Sequence, residues 1–535
     1  YSREDLSLIL NPMASKGEEP VGSMGNDAPL AVLSEKPQLL YWYFKQLFAQ
    51  VTNPPIDSIR EELVMSLMTF VGNPGTILTE TPAHARLIKL PHPFLSNDDV
   101  ARLRDLRVKD FSSATLPMAF PAGGSPAEFE SALNALCEAA VAAVRKHKAI
   151  LILTDKDLPE SQAPLPALLA FSAVNRRLIE EGVRTGTGLV VETGEAREVH
   201  HMALLLGYGA TAINPYLAFE SVAAMAAAGS LDAPVDGVKA VENYVHALNK
   251  GLLKIMSKMG ISTLRSYRGG QVFEAVGLKK SLVDRYFTGT ASRIEGIGLE
   301  EICAESNARH TEATAPNPDQ QSLLSSGGVY RWRKDGERHL WTPEAISRLQ
   351  WATRKNDIGL YREYARMIND QTRRQCTLRG LFRFKKTTPI PLDEVEPIEA
   401  IIKRFVTSAM SFGSISREAH ETLAIAMNRL GAASNSGEGG EDRARFKPLP
   451  YGDTGLQGQR GNRQGAQRNA RRHFDFTPAA SRHLLDRGFE TVDFRSEERQ
   501  SGGTYFGQAG LRSRSRHGGG RCGQGLRRHG ADQRL

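Results

Sequence analysis

Apolar and polar positions between residues 130 and 235 follow a regular alternation. Short apolar runs, AILIL from Ala149, GLVVE from Gly188 and ATAIN from Ala210, are separated by segments of helical periodicity. Strands of about four or five apolar residues, spaced by helices of about 10–15 residues, are typical of parallel βαβ units. The pattern therefore predicts an α/β domain with a parallel sheet whose strands start near those three residues.

The helices between these strands carry their own start and stop signals. One is predicted from Pro166 to Glu181, and another from Glu195 with Gly207 at its end. The buried stripe of the second helix is predicted to consist of Val199, Met202, Ala203 and Leu206.

The first 75 residues show a weaker pattern. From Leu39 to Phe48, apolar residues recur at near-helical spacing, and Pro54 and Pro55 would end that run. We predict a helix there and a second one over Ile56–Phe70.

The second half of the chain begins with a polar stretch at 304–350, which includes NARHTEATAPNPDQQ and SSGG. Such a stretch is typical of a linker or a surface connection, so a domain boundary is predicted at its start. Further on, an apolar run from Phe405 to Met410, a turn SFGSI and a helix from Ser416 to Leu430 predict one βα unit, with Ser416 as the N-cap. In α/β barrels the carboxyl ends of the strands bind ligands, so the loop of this unit is a candidate site.

Composition narrows the class of protein. The chain has 535 residues, of which 41% are apolar, so it can bury a large core. No apolar stretch reaches the length of about 18 residues that would span a bilayer, and the opening YSREDLSLILNP lacks the order of a signal peptide. We expect a soluble, cytoplasmic protein whose numbering starts inside a longer polypeptide. The four cysteines are 73 or more positions apart, which favours reduced thiols and predicts no metal site.

The net charge of +8 is confined to the C-terminal tail. Residues 455–535 hold 16 Arg, no Lys and 7 Asp or Glu, a net charge of +9, together with 15 Gly and neither Ile nor Met. Such a segment cannot bury much surface. We expect this tail to be disordered or to come from a shifted reading frame. An Arg-rich segment that binds single-stranded nucleic acid is the alternative, although nucleic acid is not the expected partner.

Two groups of residues in the second half could carry chemistry. In MSFGSIS, Gly413 allows a ligand to approach the backbone closely, and Ser411 and Ser414 add hydroxyls beside a helix N-terminus, which suits a flat ring or an anion. In SNSGEGGED, the glycines can adopt positive φ and Glu438 can present a carboxylate. A capped turn and a solvated loop explain the same residues, and these alternatives stay open.

Two further groups lie in the first half. VETGEAREVHH contains adjacent His200 and His201, but neighbours on a helix point about 100° apart and no histidine lies at i+4. A charged strand end and helix start is the simpler interpretation. In LRSYRGGQVFEAVGL, Arg265 and Arg268 stand beside two glycines and could hold a phosphate or a carboxylate, although a surface turn explains them equally well.

Taken in order, the motifs resemble one family. GSMGNDAPLAVLS, FKQLFAQVTNPPIDSIREELVMSL, VETGEAREVHH, GYGATAINPYLAFE, YFTGTASRIEGIG, PIPLDEVEP and SNSGEGGED are similar to the large (α) subunit of glutamate synthase, and the resemblance covers residues 1–452. It implies a central domain at 1–304 and the N-terminal part of an FMN-binding (β/α)₈ synthase domain at 305–454, which is an incomplete barrel. A low-complexity tail follows at 455–535.

The resemblance also implies an activity. Enzymes of this family hydrolyse glutamine, pass the ammonia through a tunnel to 2-oxoglutarate, and reduce the resulting 2-iminoglutarate with hydride from reduced FMN. Electrons come from NADPH through a small flavoprotein subunit, or from ferredoxin. The family also carries a 3Fe–4S cluster, whose cysteines this sequence lacks. Because the glutaminase domain and the later barrel strands are absent too, we expect this chain alone to be inactive and to bind FMN weakly at most, as a pseudogene fragment would.

Site residues follow from the same resemblance. Those expected near the flavin are Ala409, Met410, Ser411 and Ser414. Those expected in a loop that lines the substrate or tunnel side are Asn435, Ser436 and Glu438. Glu438 is the catalytic candidate, since it is expected to link the two half-sites. The sequence departs from the family at Ser408, where glycine is usual, and at Ala433, where lysine is usual.

Overall fold

The structure is a computed structural model that describes most of the first 435 residues. The described ranges are 1–20, 27–47, 55–76, 78, 81–314, 324–370, 376–382, 385, 388–410 and 413–435. The chain divides into two compact units, Tyr1–Lys385 and Lys386–Leu535. The tail predicted at 455–535 lies outside the described residues.

Eleven strands and fourteen helices lie within the described ranges. The strands are β1 (Phe44–Gln46), β2 (Thr69–Val71), β3 (Ile88–Leu90), β4 (Ser113–Pro117), β5 (Ala119–Pro121), β6 (Ile150–Thr154), β7 (Gln162–Pro164), β8 (Gly188–Glu192), β9 (Ala212–Asn214), β10 (Phe273–Leu278) and β11 (Ala291–Ile297). The helices are α1 (Asn11–Lys16), α2 (Asn97–Arg104), α3 (Pro126–Arg145), α4 (Ala167–Glu180), α5 (Val199–Gly207), α6 (Tyr216–Ala227), α7 (Gly237–Lys258), α8 (Leu264–Tyr267), α9 (Lys280–Tyr286), α10 (Leu299–Thr314), α11 (Pro343–Lys355), α12 (Ile358–Asn369), α13 (Ile398–Ile402) and α14 (Arg417–Leu430). Among these helices, none combines the length and the apolar character that a membrane crossing requires.

The first unit is built on a parallel sheet with the strand order β4-β6-β8-β9. β6 pairs with β8 from Ile150 opposite Gly188 to Thr154 opposite Glu192, and β9 pairs with the end of β8. The three strands predicted from the apolar runs are therefore confirmed as parallel neighbours. The connecting helices α3, α4 and α5 lie between successive strands in the sequence, as in a series of βαβ units.

Both faces of this sheet are buried, which explains the unbroken apolar runs in the sequence. Leu151 and Leu153 face the larger core, which contains the apolar sides of α3, α4, α5 and α7. Ile150 and Ile152 face a smaller core formed with β2, β3 and α2. Because alternate side chains of a strand point to opposite faces, a strand that is covered on both sides needs apolar residues at every position.

The two helices predicted between residues 39 and 70 are wrong. Their described residues form a 3₁₀ turn at Leu40–Tyr43, strand β1, a 3₁₀ turn at Glu62–Val64 and the start of strand β2. β1 pairs antiparallel with β10, where Phe44 lies opposite Ala275. The ring of Phe44 is fully buried, 4.9 Å from that of Phe287 between centroids. Long-range strand pairing thus overrides the local helical spacing.

The polar stretch at 304–350 contains regular structure in its described part. α10 runs through the predicted boundary after residue 304, and the first compact unit continues to Lys385. The segment 324–341 makes hydrogen bonds with the first forty residues, and α11 starts directly after it with Thr342 as the N-cap. The division into domains at 304 stays a prediction.

A leucine-to-alanine pair tests the two-sided core. Leu153→Ala should lower the free energy of unfolding by about 2–5 kcal/mol, because the fully buried side chain leaves a cavity. Leu63→Ala, at a position that is 97% exposed, should change it by less than about 0.5 kcal/mol. Equilibrium chemical denaturation measures both values, and equal stabilities of the two variants would contradict this assignment of the core.

Candidate functional site

The second unit contains the predicted βα unit and the strand segment that follows it. Val406 and Ala433 form a parallel bridge. In this bridge Ala433 N donates to Phe405 O at 3.1 Å, and Thr407 N donates to Ala433 O at 3.3 Å. Since α14 connects the two strand segments, the chain from Phe405 to Ala433 is a small parallel βαβ unit.

Both ends of α14 are determined by the local sequence. Ser416 is the N-cap as predicted, and its hydroxyl accepts a hydrogen bond from Ala419 N at 3.2 Å. The pKa of Glu418 is lowered by hydrogen bonds from the backbone N–H of Glu418 itself and from the Ser416 side chain. Gly431 ends the helix with a φ of +71°, which favours glycine. These caps place Ser416 and the turn at Gly431 at opposite ends of the helix.

The structure brings the described candidate residues to one edge of this unit. Ala409, Met410 and Ser414 lie in the loop after the first strand segment, and Asn435 follows the second segment. The backbone N–H of Asn435 donates to Thr407 Oγ1 at 3.0 Å. Because the carboxyl ends of parallel strands share an edge, the two loops border the same space. The candidates outside the described residues are Ser411, Ser436 and Glu438.

The described part of this edge carries small and apolar side chains. Among the described residues, a Cβ added at Gly413 would meet no atom within 4 Å, and the small side chains of Ala409 and Ser414 are exposed. Phe405 and Val406 are 63% and 58% exposed, so the strand presents an apolar surface. An apolar surface with a few hydroxyl and amide groups at its margin suits an aromatic ligand.

A second polar cluster lies at the carboxyl edge of the main sheet, in the first unit. Asp155 follows β6 directly, and its carboxylate accepts hydrogen bonds from Thr193 Oγ1 and Gly194 N, which follow β8. Burial raises the pKa of Asp155 to about 7. Asp155 is not among the site residues predicted from the sequence. The signal that could have found it is an acidic residue directly after a buried parallel strand.

Two glutamates continue this cluster. Glu192, 2% exposed at the end of β8, forms an ion pair with Arg104. Glu195 accepts a hydrogen bond from Ala167 N at 2.9 Å, at the first residue of α4, and burial raises the pKa of its carboxyl group. This contact ties the chain after β8 to α4. Glu195 thus lies in the connection before the helix, and the helix predicted from Glu195 starts later, at Val199.

The adjacent histidines lie in the protein interior. Burial lowers the pKa of His200 to about 4 and lowers that of His201 as well, so both are neutral near pH 7. The ring of His201 stacks on Tyr41 with centroids 4.3 Å apart, and its Nε2 lies 3.2 Å from Glu198. In the part of the chain that the structure describes, no three His, Cys, Asp or Glu side chains form a group that could hold a metal ion. Both histidines lie in the first turn of α5, next to Arg197 and Glu198.

The arginine pair lies on a turn that is tied to the interior. Gly269, with a φ of +72°, donates from its backbone N–H to Gly207 O at 2.8 Å, which connects the turn to the end of α5. Burial, and then the charge of Arg265, lower the pKa of Arg268. The contacts of the described residues thus give this turn a structural role.

Two family models match the chain. The first describes the glutamate synthase central domain and matches residues 1–279, and the second describes a conserved region in glutamate synthase and matches residues 339–453. The chain belongs to the glutamate synthase family. The candidate edge in the second unit lies within the second matched region, whereas the polar cluster around Asp155 lies within the first.

Curated relatives agree with this assignment. The large chain of the NADPH-dependent glutamate synthase of Bacillus subtilis is 48% identical over 454 residues, which cover 85% of this chain and 29% of the relative. The NADH-dependent glutamate synthase of Schizosaccharomyces pombe is 43% identical over 459 residues, which cover 85% of this chain and 22% of the relative. The ferredoxin-dependent glutamate synthase 2 of Synechocystis is 43% identical over 476 residues, which cover 84% of this chain and 30% of the relative. The chain thus spans less than a third of the length of these glutamate synthases.

Solved structures add little to the family assignment. A flavocytochrome b2 with sulfite bound aligns with 52% of this chain and 87% of its own, at 10% sequence identity and a TM-score of 0.28. Such a low score does not establish a common fold.

Asp155→Asn tests the buried carboxyl group. Because the pKa of Asp155 is raised to about 7 in the folded protein and is about 4 in unfolded chains, the folded state holds a proton that the unfolded state has lost. The stability that this proton provides is complete below about pH 4 and is lost as the pH rises to about 7. We expect a loss on the order of 2–4 kcal/mol over that window in the unmodified protein, and a smaller one in Asp155→Asn.

The measurement is the free energy of unfolding from pH 4 to pH 8 for both proteins. The exposed Asp284→Asn, which removes only a surface ion pair with Lys280, serves as the control and should follow the unmodified protein. Parallel curves for Asp155→Asn and the unmodified protein would show that Asp155 is ionised in the folded state.

Proposed function

We propose that this chain supplies the central domain and the first part of the FMN-binding domain of a glutamate synthase large chain. The complete enzyme makes L-glutamate from glutamine-derived ammonia and 2-oxoglutarate. The observation that carries the proposal is the parallel βαβ unit at 405–433, whose two loops meet at one edge within the matched synthase region. A bound FMN supplies the hydride that reduces 2-iminoglutarate.

The protein residues at this edge bind and orient the ring. Ala409 and Met410 follow the strand and offer backbone groups, and Ser414 contributes a hydroxyl next to the N-cap of α14. Ser411 belongs to the same loop in the sequence. The small side chains of Ala409 and Ser414 leave the face of a flat ring accessible to substrate. The apolar strand surface helps to exclude water, in which ammonia and the imine would be lost.

The loop that starts at Asn435 completes the proposed site. Asn435 is held at the end of the first strand segment by its hydrogen bond to Thr407. Ser436 and Glu438 follow this anchored residue in the sequence. A carboxylate on this loop can sense 2-oxoglutarate and ammonia on one side and the glutaminase half-site on the other. Glu438 is therefore the proposed link between the two half-reactions.

The described part of the second unit is too small for a complete flavin site. It contains one βαβ unit, whereas the flavin phosphate in such barrels is held by loops after the seventh and eighth strands. The free cysteines Cys137, Cys303 and Cys376 are buried, and within the described ranges they form no metal-binding group, so we assign no iron–sulfur site here. The relatives use NADPH, NADH or ferredoxin, and the electron donor of this protein stays open among these.

The isolated chain should bind FMN weakly and show no glutamate synthase turnover. Contacts to the ring alone do not offset the free energy that is needed to order the phosphate and the loops. The Kd should therefore be well above about 1 μM. Fluorescence titration of the purified chain with FMN measures the affinity, and glutamate formation from glutamine and 2-oxoglutarate measures the activity. Riboflavin is the matched control, because a ring-only site should bind both flavins alike. Submicromolar binding of FMN would contradict the prediction.

A chimera tests the proposed function in a complete enzyme. Residues 1–452 of this chain would replace the corresponding segment of the Bacillus subtilis large chain, to which they are about half identical. The chimera should bind FMN and form glutamate from glutamine and 2-oxoglutarate. Within it, Glu438→Gln should lower glutamine-dependent turnover at least about tenfold, while Glu441→Gln in the same loop should not. A folded chimera that binds flavin but forms no glutamate would overturn the proposal.

A further inference from the structure

The segment 324–341, here called the strap, connects the two regions that define the family. It lies after the matched central domain, which ends at 279, and overlaps only the start of the matched synthase region at 339. Its sequence is polar and carries little regular structure. Even so, the strap is fixed to the first forty residues of the chain by a set of buried polar contacts.

The central contact of the strap is the carboxylate of Glu4. This side chain is only 5% exposed, and its two oxygens accept hydrogen bonds from four consecutive backbone N–H groups. The donors and their distances are Gly328 at 2.8 Å, Val329 at 2.6 Å, Tyr330 at 3.1 Å and Arg331 at 2.9 Å. Consecutive N–H groups that converge on one point form a nest, which is a binding site for anions. In this structure the anion is a side chain of the same protein.

Two glycines allow the strap to form this nest. Gly327 and Gly328 have φ values of +78° and +89°, which side chains with a Cβ rarely adopt. A Cβ on Gly327 would lie 2.7 Å from Cβ of Glu4, and a Cβ on Gly328 would lie 2.8 Å from Cα of Gly336. The nest therefore requires glycine at both positions, for its backbone shape and for the close approach of Glu4.

A second buried contact closes the far end of the strap. His339, 5% exposed, lies 2.8 Å from Asp27 Oδ1 through Nδ1 and 2.6 Å from Gly328 O through Nε2. Asp27 also accepts hydrogen bonds from the backbone N–H groups of Leu340, at its carbonyl, and Trp341, at its carboxylate. The imidazole thus joins the nest to the end of the strap, two residues before helix α11.

We propose that Glu4 is a positioning residue: its carboxylate occupies an anion-binding nest in the strap, and this contact fixes the segment from which α11 and the synthase region begin. The carboxylate binds one buried and three part-buried N–H groups, and losing this shared acceptor costs free energy, so the strap should detach as a unit when the carboxylate is removed. A small carboxylate from solution should then be able to take the place of the side chain. This inference does not depend on the flavin site proposed above.

The test uses the full chain with Glu4→Ala, Glu4→Gln and the exposed control Glu18→Ala. Hydrogen exchange of the amides at 328–331 reports the nest directly. Limited trypsin digestion well below the unfolding temperature reports the strap, which exposes Arg331, Arg333 and Lys334. Cleavage after the exposed Lys146, at the end of α3, is the internal reference for general destabilisation.

We expect both Glu4 variants to lose protection at 328–331 and to be cleaved in the strap about tenfold faster or more, while cleavage after Lys146 stays unchanged. Sodium acetate or formate should slow strap cleavage of Glu4→Ala relative to sodium chloride at the same ionic strength. It should not rescue Glu4→Gln, whose amide still fills the space. The unmodified protein and Glu18→Ala should not respond to either carboxylate.

Gly327→Ala disturbs the nest while Glu4 stays intact, and it covers the case in which a Glu4 variant does not fold. It should accelerate strap cleavage, and its effect should not add to that of Glu4→Ala, because both changes remove the same contact. Strap cleavage at the unmodified rate in Glu4→Ala, or an absence of rescue by acetate and formate, would overturn the proposal.

Discussion

Burial of the parallel sheet on both faces is the constraint on which the first unit depends. β6 and β8 form the centre of this sheet, and all of their residues are buried. Leu153 contacts the core on the helix side and Ile152 the core beneath β2 and α2. Since no face of these strands meets water, polar groups can gather only at the strand ends. The carboxyl edge of the sheet is accordingly where Asp155, Glu192 and Glu195 lie.

The acidic side chains at this edge form hydrogen bonds and an ion pair with neighbouring parts of the fold. Asp155 and Glu195 accept hydrogen bonds from the chain that follows β8 and from the start of α4, and burial shifts both carboxyl groups toward the neutral form. Glu192 is paired with Arg104. The cluster therefore organises the loops between strands and helices.

The second unit uses the same βαβ geometry without the same burial. As consecutive residues of one strand segment, Phe405 and Val406 point to opposite faces, and both are largely exposed in this unit. His420 is the one side chain of α14 that is buried. An edge that must hold a flavin needs neighbouring strands on both sides, both for stability and for the phosphate site. The proposed chemistry of this region therefore depends on the rest of a barrel, while the first unit already has a closed core.

The sequence by itself determined the elements that depend on neighbouring residues: the three parallel strands, helix α4, the Ser416 cap and the order of loops at the candidate edge. Tertiary structure decided what depends on distant partners. Phe44 joins a strand because β10 lies beside it. Burial in the folded chain raises the pKa of Asp155, and the backbone groups that bind Glu4 lie more than 300 residues away in the sequence. Periodicity and capping act over one or two helical turns, so they can be recognised in a sequence. The partner of a buried carboxylate or of an edge strand lies far away in the sequence, so it depends on the tertiary structure.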